Sequence, residues 1–300
     1  MKPPARLKSR PEHFQVNEQL AFAPSGEGEH QLVRVEKRGI NTTDAAARLA
    51  RAAGVRSRDV GYAGQKDKHA VACQWFSVPG SAIVEGMLDE ETKVLATARH
   101  ARKLRPGDAQ SNDFSITLTG VDERPGRLTP KFANYFGPQR FGGDNLERAR
   151  EWVLERRRRR VSRYKQGLYL SVLRSDLFNR VVDARREDGS LCRTLAGDVL
   201  DAVGLPTAPL WGRGRSATSD AALEIEQRAL APYADLLEAL EHAGVQQARR
   251  SMVAEAQGLT VGDLQDGCLT VQFTLPAGCY ATTFLANHFE LVDTSGAGEA

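Results

Sequence analysis

Two segments of strict apolar–polar alternation, Asp113-Phe-Ser-Ile-Thr-Leu-Thr119 and Leu269-Thr-Val-Gln-Phe-Thr-Leu275, lie about 150 residues apart in a chain of 300. A period of two marks a strand that buries one face. Three more runs read the same way: Phe14-Gln-Val-Asn-Glu-Gln-Leu20, Gln31-Leu-Val-Arg-Val-Glu36 and the stretch from Val71 to Val78. The middle of the chain has a different rhythm. Asp144-Asn-Leu-Glu147 resembles a capping box that opens a helix running into Arg156–Arg160. Residues 220–250 are helical in pattern, with a break near Pro232. Near the start, Asn41 to Ala53 also reads as a helix. Asn41, Thr42 or Thr43 can cap it, Ala and Leu form its face, and Gly54 ends it. Strands therefore flank a largely helical middle. The pattern predicts an α+β body built from both ends of the chain, interrupted by an inserted helix-rich segment over about 158–254.

Composition narrows the class. Apolar residues are 41% and charged residues 26% of the chain, as in ordinary globular proteins. No run approaches 18 uninterrupted apolar residues, so no membrane helix is expected. Met1-Lys-Pro-Pro-Ala-Arg-Leu-Lys-Ser-Arg10 has no apolar stretch after its charges and does not read as a signal peptide. Cys73, Cys192, Cys268 and Cys279 form no Cys-x-x-Cys pair, and the six histidines show no ligand spacing. Free thiols in a reducing cytoplasm and no metal are the expectation. Charge is uneven: residues 1–200 carry a net +11 and residues 201–300 a net −8, and the last fifty contain no Lys or Arg. That asymmetry is what a polyanionic partner for one part of the molecule would want, and a merely solvated surface accounts for it equally well.

Four segments carry chemistry. In Gly61-Tyr-Ala-Gly-Gln-Lys-Asp-Lys-His-Ala-Val71 the Gly-Lys-Ser/Thr of a nucleotide cradle is missing; Gly64 is followed by Gln65, Lys66 and Asp67. Asp67 stands between two lysines, which favour the ionised carboxylate needed by a nucleophile or base. Taken alone, the segment also fits a surface turn with solvated charges. Asn134-Tyr-Phe-Gly-Pro-Gln-Arg-Phe-Gly-Gly143 puts aromatics, amides and Arg140 in a glycine-rich loop. Such groups stack on bases and read their edges, although some of Tyr135, Phe136 and Phe141 must be core. Pro276-Ala-Gly-Cys-Tyr-Ala-Thr282 presents Tyr280 after a strand, for stacking or for packing. The run Arg156–Arg160 covers every face of a helix and suits phosphate contact.

Together these residues resemble the tRNA pseudouridine synthase D (TruD) family, in order and over most of the chain. Phe14-Gln-Val-Asn-Glu18 preceded by Lys8 is similar to its N-terminal strand motif. Ala63-Gly-Gln-Lys-Asp-Lys-His-Ala-Val71 with Gln74-Trp75 is similar to its catalytic motif. Asn134-Tyr-Phe-Gly-Pro-Gln-Arg-Phe-Gly142 and Leu275-Pro-Ala-Gly-Cys-Tyr-Ala-Thr282 resemble its later motifs. The resemblance implies a pseudouridine synthase core with a mixed, mainly antiparallel sheet over 1–157 and 255–294. It also implies a helix-rich α/β insertion domain over 158–254; residues 295–300 read from their own composition as a flexible tail. The resemblance implies an isomerase that converts a uridine of tRNA, at position 13, into pseudouridine, with no cofactor and no metal; a cytoplasmic location follows from the free thiols, and a monomer is the default expectation. Asp67 takes the catalytic place; Phe14, Asn134, Tyr280, Lys8 and Arg140 take substrate-binding places. RNA would lie between the two lobes. Ala286-Asn287 departs from the Arg-Glu common in relatives, and Tyr280 stands where some have Phe. The rivals are a metal-dependent nuclease and an RNA-binding protein without catalytic activity. A nuclease would want a second acidic residue beside Asp67, and the segment has none. If the arginine run contacts phosphates, replacing Arg156–Arg160 by Gln flattens the slope of log K against log salt for tRNA binding; an unchanged slope removes the run from the interface.

Overall fold

Strands from both ends of the chain enter one sheet. The computed structural model describes residues 2–155 and 160–295. The run Arg156–Arg159 and the tail beyond Ser295, both singled out above, lie outside the described residues. The first 130 residues supply β1 (Pro4–Leu7), β2 (Phe14–Leu20), β3 (His30–Arg38), α1 (Thr42–Ala52), β4 (Gly61–Tyr62), β5 (Val71–Pro79), β6 (Gly86–Asp89), β7 (Thr92–His100) and β8 (Ala109–Thr119). There follow β9 (Lys131–Ala133), α2 (Pro138–Phe141), α3 (Asn145–Leu154), α4 (Arg163–Glu187), β10 (Thr207–Leu210), α5 (Asp220–Leu230), α6 (Ala234–His242), β11 (Ala248–Ser251) and β12 (Val253–Glu255). The last elements are β13 (Gln257–Val261), β14 (Cys268–Pro276), α7 (Ala281–Ala286) and β15 (Glu290–Asp293). Two compact units result: residues 1–130, 256–278 and 285–300 form one, residues 131–255 and 279–284 the other.

In the first unit the described residues form an eleven-stranded sheet in the order β13-β14-β8-β2-β5-β3-β7-β6. In addition β1 joins β8 and β15, and β4 joins β5. The pairs β2–β5 and β1–β15 are parallel and the others antiparallel, so the sheet is mixed and mainly antiparallel. The two segments that alternate most cleanly in the sequence are direct neighbours: Val271 lies opposite Ile116 and Phe273 opposite Phe114. In-phase pairing stacks both apolar sets on one face, which is what fixes the register. On β3 and β5 the core-facing Val33, Val35, Phe76 and Val78 receive Ala45, Ala46, Leu49 and Ala50 of α1. That helix stops at Gly54, whose φ of +68° suits glycine, and Val55 N–H returns to Ala50 O at 2.9 Å.

The second unit is built around the long helix α4. Leu173, Leu177, Phe178, Val181 and Val182 of α4 form a buried cluster with Ala149, Trp152 and Val153 of α3 and with Leu236 and Leu240. Two short ribbons, β10–β11 and β9–β12, complete it. Residues 131–157, expected with the catalytic body, therefore group here as far as they are described. The reason is that α3 buries its apolar stripe on α4 and β9 pairs with β12. Two local expectations also change. The Asp144 carboxylate reaches Arg148 at 3.0 Å instead of capping the backbone of α3. Residues 248–250, expected as helix, belong to β11 (Ala248–Ser251), where Arg249 meets Glu226 at 2.6 Å and Thr207 at 2.7 Å. Leu49, fully buried between α1 and the sheet, is a direct test of the first unit's core. Leu49→Ala should lower stability by about 2–5 kcal/mol in urea denaturation.

Candidate active site

Buried polar side chains say more about a site than exposed apolar ones. In the first unit five of them, Lys8, Glu18, Lys37, Thr42 and Gln74, gather at one loop. Glu18 (β2), Gln74 (β5) and Lys37 (β3) lie on three adjacent strands, and each occupies the core-facing phase of its strand. Glu18 follows Phe14 and Val16, Gln74 lies between Ala72 and Phe76, and Lys37 follows Val33 and Val35. Their partners are the loop 63–69. Lys66 pairs with Glu18, whose second oxygen accepts from Trp75 N–H at 3.0 Å. Gln74 Nε2 donates to Gly64 O at 3.2 Å, and its Oε1 accepts from Thr42 Oγ1 at 2.9 Å. Thr42, a candidate cap for α1, instead turns its hydroxyl to the loop and accepts from Lys66 N–H at 2.9 Å. Lys37 Nζ donates to the carbonyl of Asp67 at 2.6 Å and to that of Ile40 at 2.7 Å.

Asp67 is thereby held from several sides. Its Oδ1 accepts from His69 N–H at 3.0 Å. Its Oδ2 lies 2.5 Å from Lys8 Nζ. The Lys8 side chain is 4% exposed and that of Asp67 11%, so the pair is nearly dry. Lys8 also reaches Asp293 Oδ2 at 3.0 Å. Burial alone would pull Lys8 down, but the two carboxylates outweigh it and hold its pKa above the ordinary lysine value. Lys37 shows the opposite balance. Burial pulls it down to about 8, more than nearby Asp67 restores. Of the flanking lysines expected to sustain Asp67, Lys66 is taken by Glu18, while a cation on the carboxylate comes from Lys8, 59 positions away.

The remaining expected site residues are placed as follows. Phe14 is buried, edge-on to Phe114 with ring centres 6.1 Å apart, and its own centre lies 5.3 Å from Lys8 Nζ. It is a packed ring beside the ion pair, not an open stacking face. Asn134, Arg140 and Tyr280 belong to the second unit. Asn134 is buried with its amide committed: Nδ2 donates to Ser251 O at 2.9 Å and Oδ1 accepts from Arg250 at 2.6 Å. The Arg250 guanidinium lies 4.3 Å from the centre of the Phe136 ring, and Tyr280 meets the same ring at 6.1 Å and 64°. Burial pushes the Tyr280 phenol up, while Arg140 and Arg250 pull the other way. Arg140 is steered by Ser175 at 3.3 Å and by Ser171. The loop backbone is clamped to α4 at Phe136 by Asn179, with bonds of 2.9 and 3.0 Å. Arg250, Lys37, Glu18 and Asp293 were not assigned roles from sequence. For Lys37 and Glu18 a signal existed, since a charge in phase with buried residues on a strand needs a buried partner. Asp293 and Arg250 gave none.

A dry carboxylate on a rigid loop, fixed by a buried cation, is the layout of a positioned nucleophile or base. Among the described residues no three His, Cys, Asp or Glu side chains are grouped to hold a metal ion, and no helix is long and apolar enough to cross a membrane. The class this core and loop match is that of the pseudouridine synthases. The family model for tRNA pseudouridine synthase D (TruD) matches residues 4–149. A curated tRNA pseudouridine synthase D from Methylococcus capsulatus is 40% identical, over 93% of this chain and 89% of the relative. One from Pseudomonas fluorescens is 39% identical, over 98% and 93%. A crystal structure from Methanosarcina mazei assigned to tRNA pseudouridine synthase D superposes with a TM-score of 0.68, over 98% of this chain and 95% of that one. At 20% identity it bears on the fold alone. The chain belongs to the tRNA pseudouridine synthase D family.

The Lys37 ammonium gives a stability test with a defined sign. Its folded pKa of about 8 lies below the ordinary 10.5, so between those values the unfolded chain holds more protons and stability rises with pH. The stability difference, wild type minus Lys37→Met, should therefore grow in favour of wild type as pH goes from 8 to 10.5. A difference that stays flat across that window would mean Lys37 titrates normally.

Proposed function

We propose that this chain isomerises a uridine of tRNA to pseudouridine, at position 13, with Asp67 as the catalytic carboxylate. We take it to act as a cytoplasmic monomer without cofactor. The observation that carries the reading is the Asp67 carboxylate itself, paired with Lys8 at 2.5 Å on a loop held by Lys37, Thr42 and Gln74.

The reaction breaks the N1–C1′ bond, turns the uracil and joins C5 to C1′. Two routes use a charged Asp67. In one, a lone pair of its oxygen bonds to C1′ as the N1–C1′ electron pair leaves on the uracil. In the other, Asp67 takes the C2′ proton, the C2′–H pair becomes the C1′–C2′ double bond, and the N1–C1′ pair again leaves on the uracil. Either way Asp67 begins as an anion and becomes neutral while the base becomes the anion. As C5 bonds to C1′, the C1′–O electron pair returns to Asp67 in the first route, or Asp67 gives its proton back to C2′ in the second; the C5 proton then leaves to solvent and N1 takes one up, which restores both. The loop anchors hold the reacting oxygen in one place, which removes the entropy of finding it.

The uridine must first leave its stack at a cost of a few kcal/mol. Phosphate contacts by arginines such as Arg140 offset that cost. Tyr280 is the stacking face in this reading, worth about 1–3 kcal/mol per base. Phe14 acts through Lys8, by walling off the ion pair. The committed amide of Asn134 favours a role in shaping its loop over reading the uracil edge.

Release of tritium from tRNA carrying [5-³H]uridine, measured in chelator, tests the reading. Wild type should release it and Asp67→Asn should not, with tRNA binding kept within about tenfold because phosphate contacts dominate affinity. Release by both proteins would remove Asp67 from the chemistry; release by neither, with binding intact, would leave an RNA-binding protein. Tyr280→Ala should slow release far more than Tyr280→Phe, and equal losses would end the stacking role.

A further inference from the structure

Lys8 has two carboxylates, and only one of them belongs to the loop that carries Asp67. The other, Asp293, comes from β15, the last strand, which pairs in parallel with β1. That pairing sets Leu7 beside Asp293, and Lys8 comes immediately after Leu7. Thr294 ties the turn down, donating its N–H and its hydroxyl to Leu7 O, each at 2.9 Å. Lys8 itself has a φ of +58°, a left-handed conformation uncommon outside glycine. Strain of this kind persists only where the surroundings over-determine it, and it clusters at working sites. Asp293 is in turn fixed by Ser295, whose N–H donates to Oδ1 at 3.0 Å. Ser295 thus belongs to the structured region, although the sequence places it in a loose tail.

The charge count explains why two carboxylates are needed. In the resting site Asp67 and Asp293 both face the buried Lys8 ammonium. When Asp67 bonds to C1′ or takes the C2′ proton, its negative charge passes to the uracil. A buried ammonium that loses its only counter-ion is strongly disfavoured. With a single partner, Lys8 would either oppose the step or give up its proton.

We infer that Asp293 is a positioning residue for the isomerisation, the second counter-ion that keeps Lys8 charged and in place while Asp67 is neutral. The inference rests on the assignment of Asp67 as the catalytic carboxylate. The charged groups facing Lys8 are Asp67 from the loop before β5 and Asp293 from β15, with the Phe14 ring of β2 beside them. Removing Asp293 takes away one of the two groups that hold Lys8 above its ordinary value. The ammonium then deprotonates at lower pH, and the alkaline limb of the rate profile moves toward neutrality.

The test is single-turnover tritium release from [5-³H]uridine-labelled tRNA by the full chain, between about pH 6 and pH 9, with tRNA affinity and thermal unfolding measured alongside. Asp293→Asn should slow the chemical step on the order of tenfold or more near neutral pH. Its loss should deepen as pH rises, with tRNA affinity unchanged. Asp293→Glu should recover most of the rate. Thr294→Val, which loosens the strand but keeps the carboxylate, should stay near wild type with the wild-type pH profile. The inference falls if Asp293→Asn matches wild type at every pH while Asp67→Asn is dead; that outcome leaves the assignment of Asp67 standing. It also falls if Asp293→Asn and Thr294→Val are slowed equally and independently of pH, since Asp293 would then only anchor the strand. An active Asp67→Asn would overturn both readings.

Discussion

Polar groups placed where a sheet should be dry are the constraint on which this site depends. Glu18, Lys37 and Gln74 occupy core-facing positions on neighbouring strands, and each must find a partner or lose several kcal/mol of solvation. They find it in the loop between β4 and β5, through Lys66, the Asp67 carbonyl and the Gly64 carbonyl. These bonds tie the loop to three strands at once. Satisfying the sheet's buried polar groups and orienting a reactive carboxylate are thus one requirement.

Electrostatics then divides two lysines by the company they keep. Lys37 bonds to carbonyl oxygens and has no carboxylate in direct contact, and burial outweighs the pull of nearby Asp67, so its pKa falls to about 8. Lys8 faces two full negative charges, and they win over burial. The first lysine fixes the backbone of the loop, the second fixes the charge on its side chain. Exchanging their surroundings would exchange those roles, because a lysine's state when buried is set by its counter-ions.

The second unit follows the same logic with different chemistry. Asn134 is buried among backbone carbonyls and Arg250, and Arg250 lies against Phe136 while bonding to Asn134. Such an arrangement uses the guanidinium's plane for stacking and its edge for hydrogen bonds, which a lysine could not do. Tyr280 and Arg140 complete a polar–aromatic set whose members come from residues far apart in the chain.

The sequence by itself determined five strands of the sheet, helix α1 and the segments that carry chemistry. Phe14–Leu20, Val71–Val78 and Leu269–Leu275 appear as strands within two residues of where alternation puts them, because a period of two follows from burying one face. Asp67 was singled out by its place in a segment similar to the family's catalytic motif, since a carboxylate between lysines after a glycine turn also fits a surface turn. A charge on the buried phase of β3 or β2 was legible too, but only as a demand for a partner, and not for which one. Only the tertiary structure decided the partners. It brought Lys8 to Asp67 across 59 residues, Asp293 to Lys8 across 285, and Arg250 to Asn134 across 116. It also moved residues 131–155 into the helical unit, since the apolar stripe of α3 is covered by α4. Periodicity reports which side of an element is buried; it carries no information about which distant element covers that side. In this protein the pairings β1–β15 and β3–β5, set by sheet topology, turn separate charges into a site.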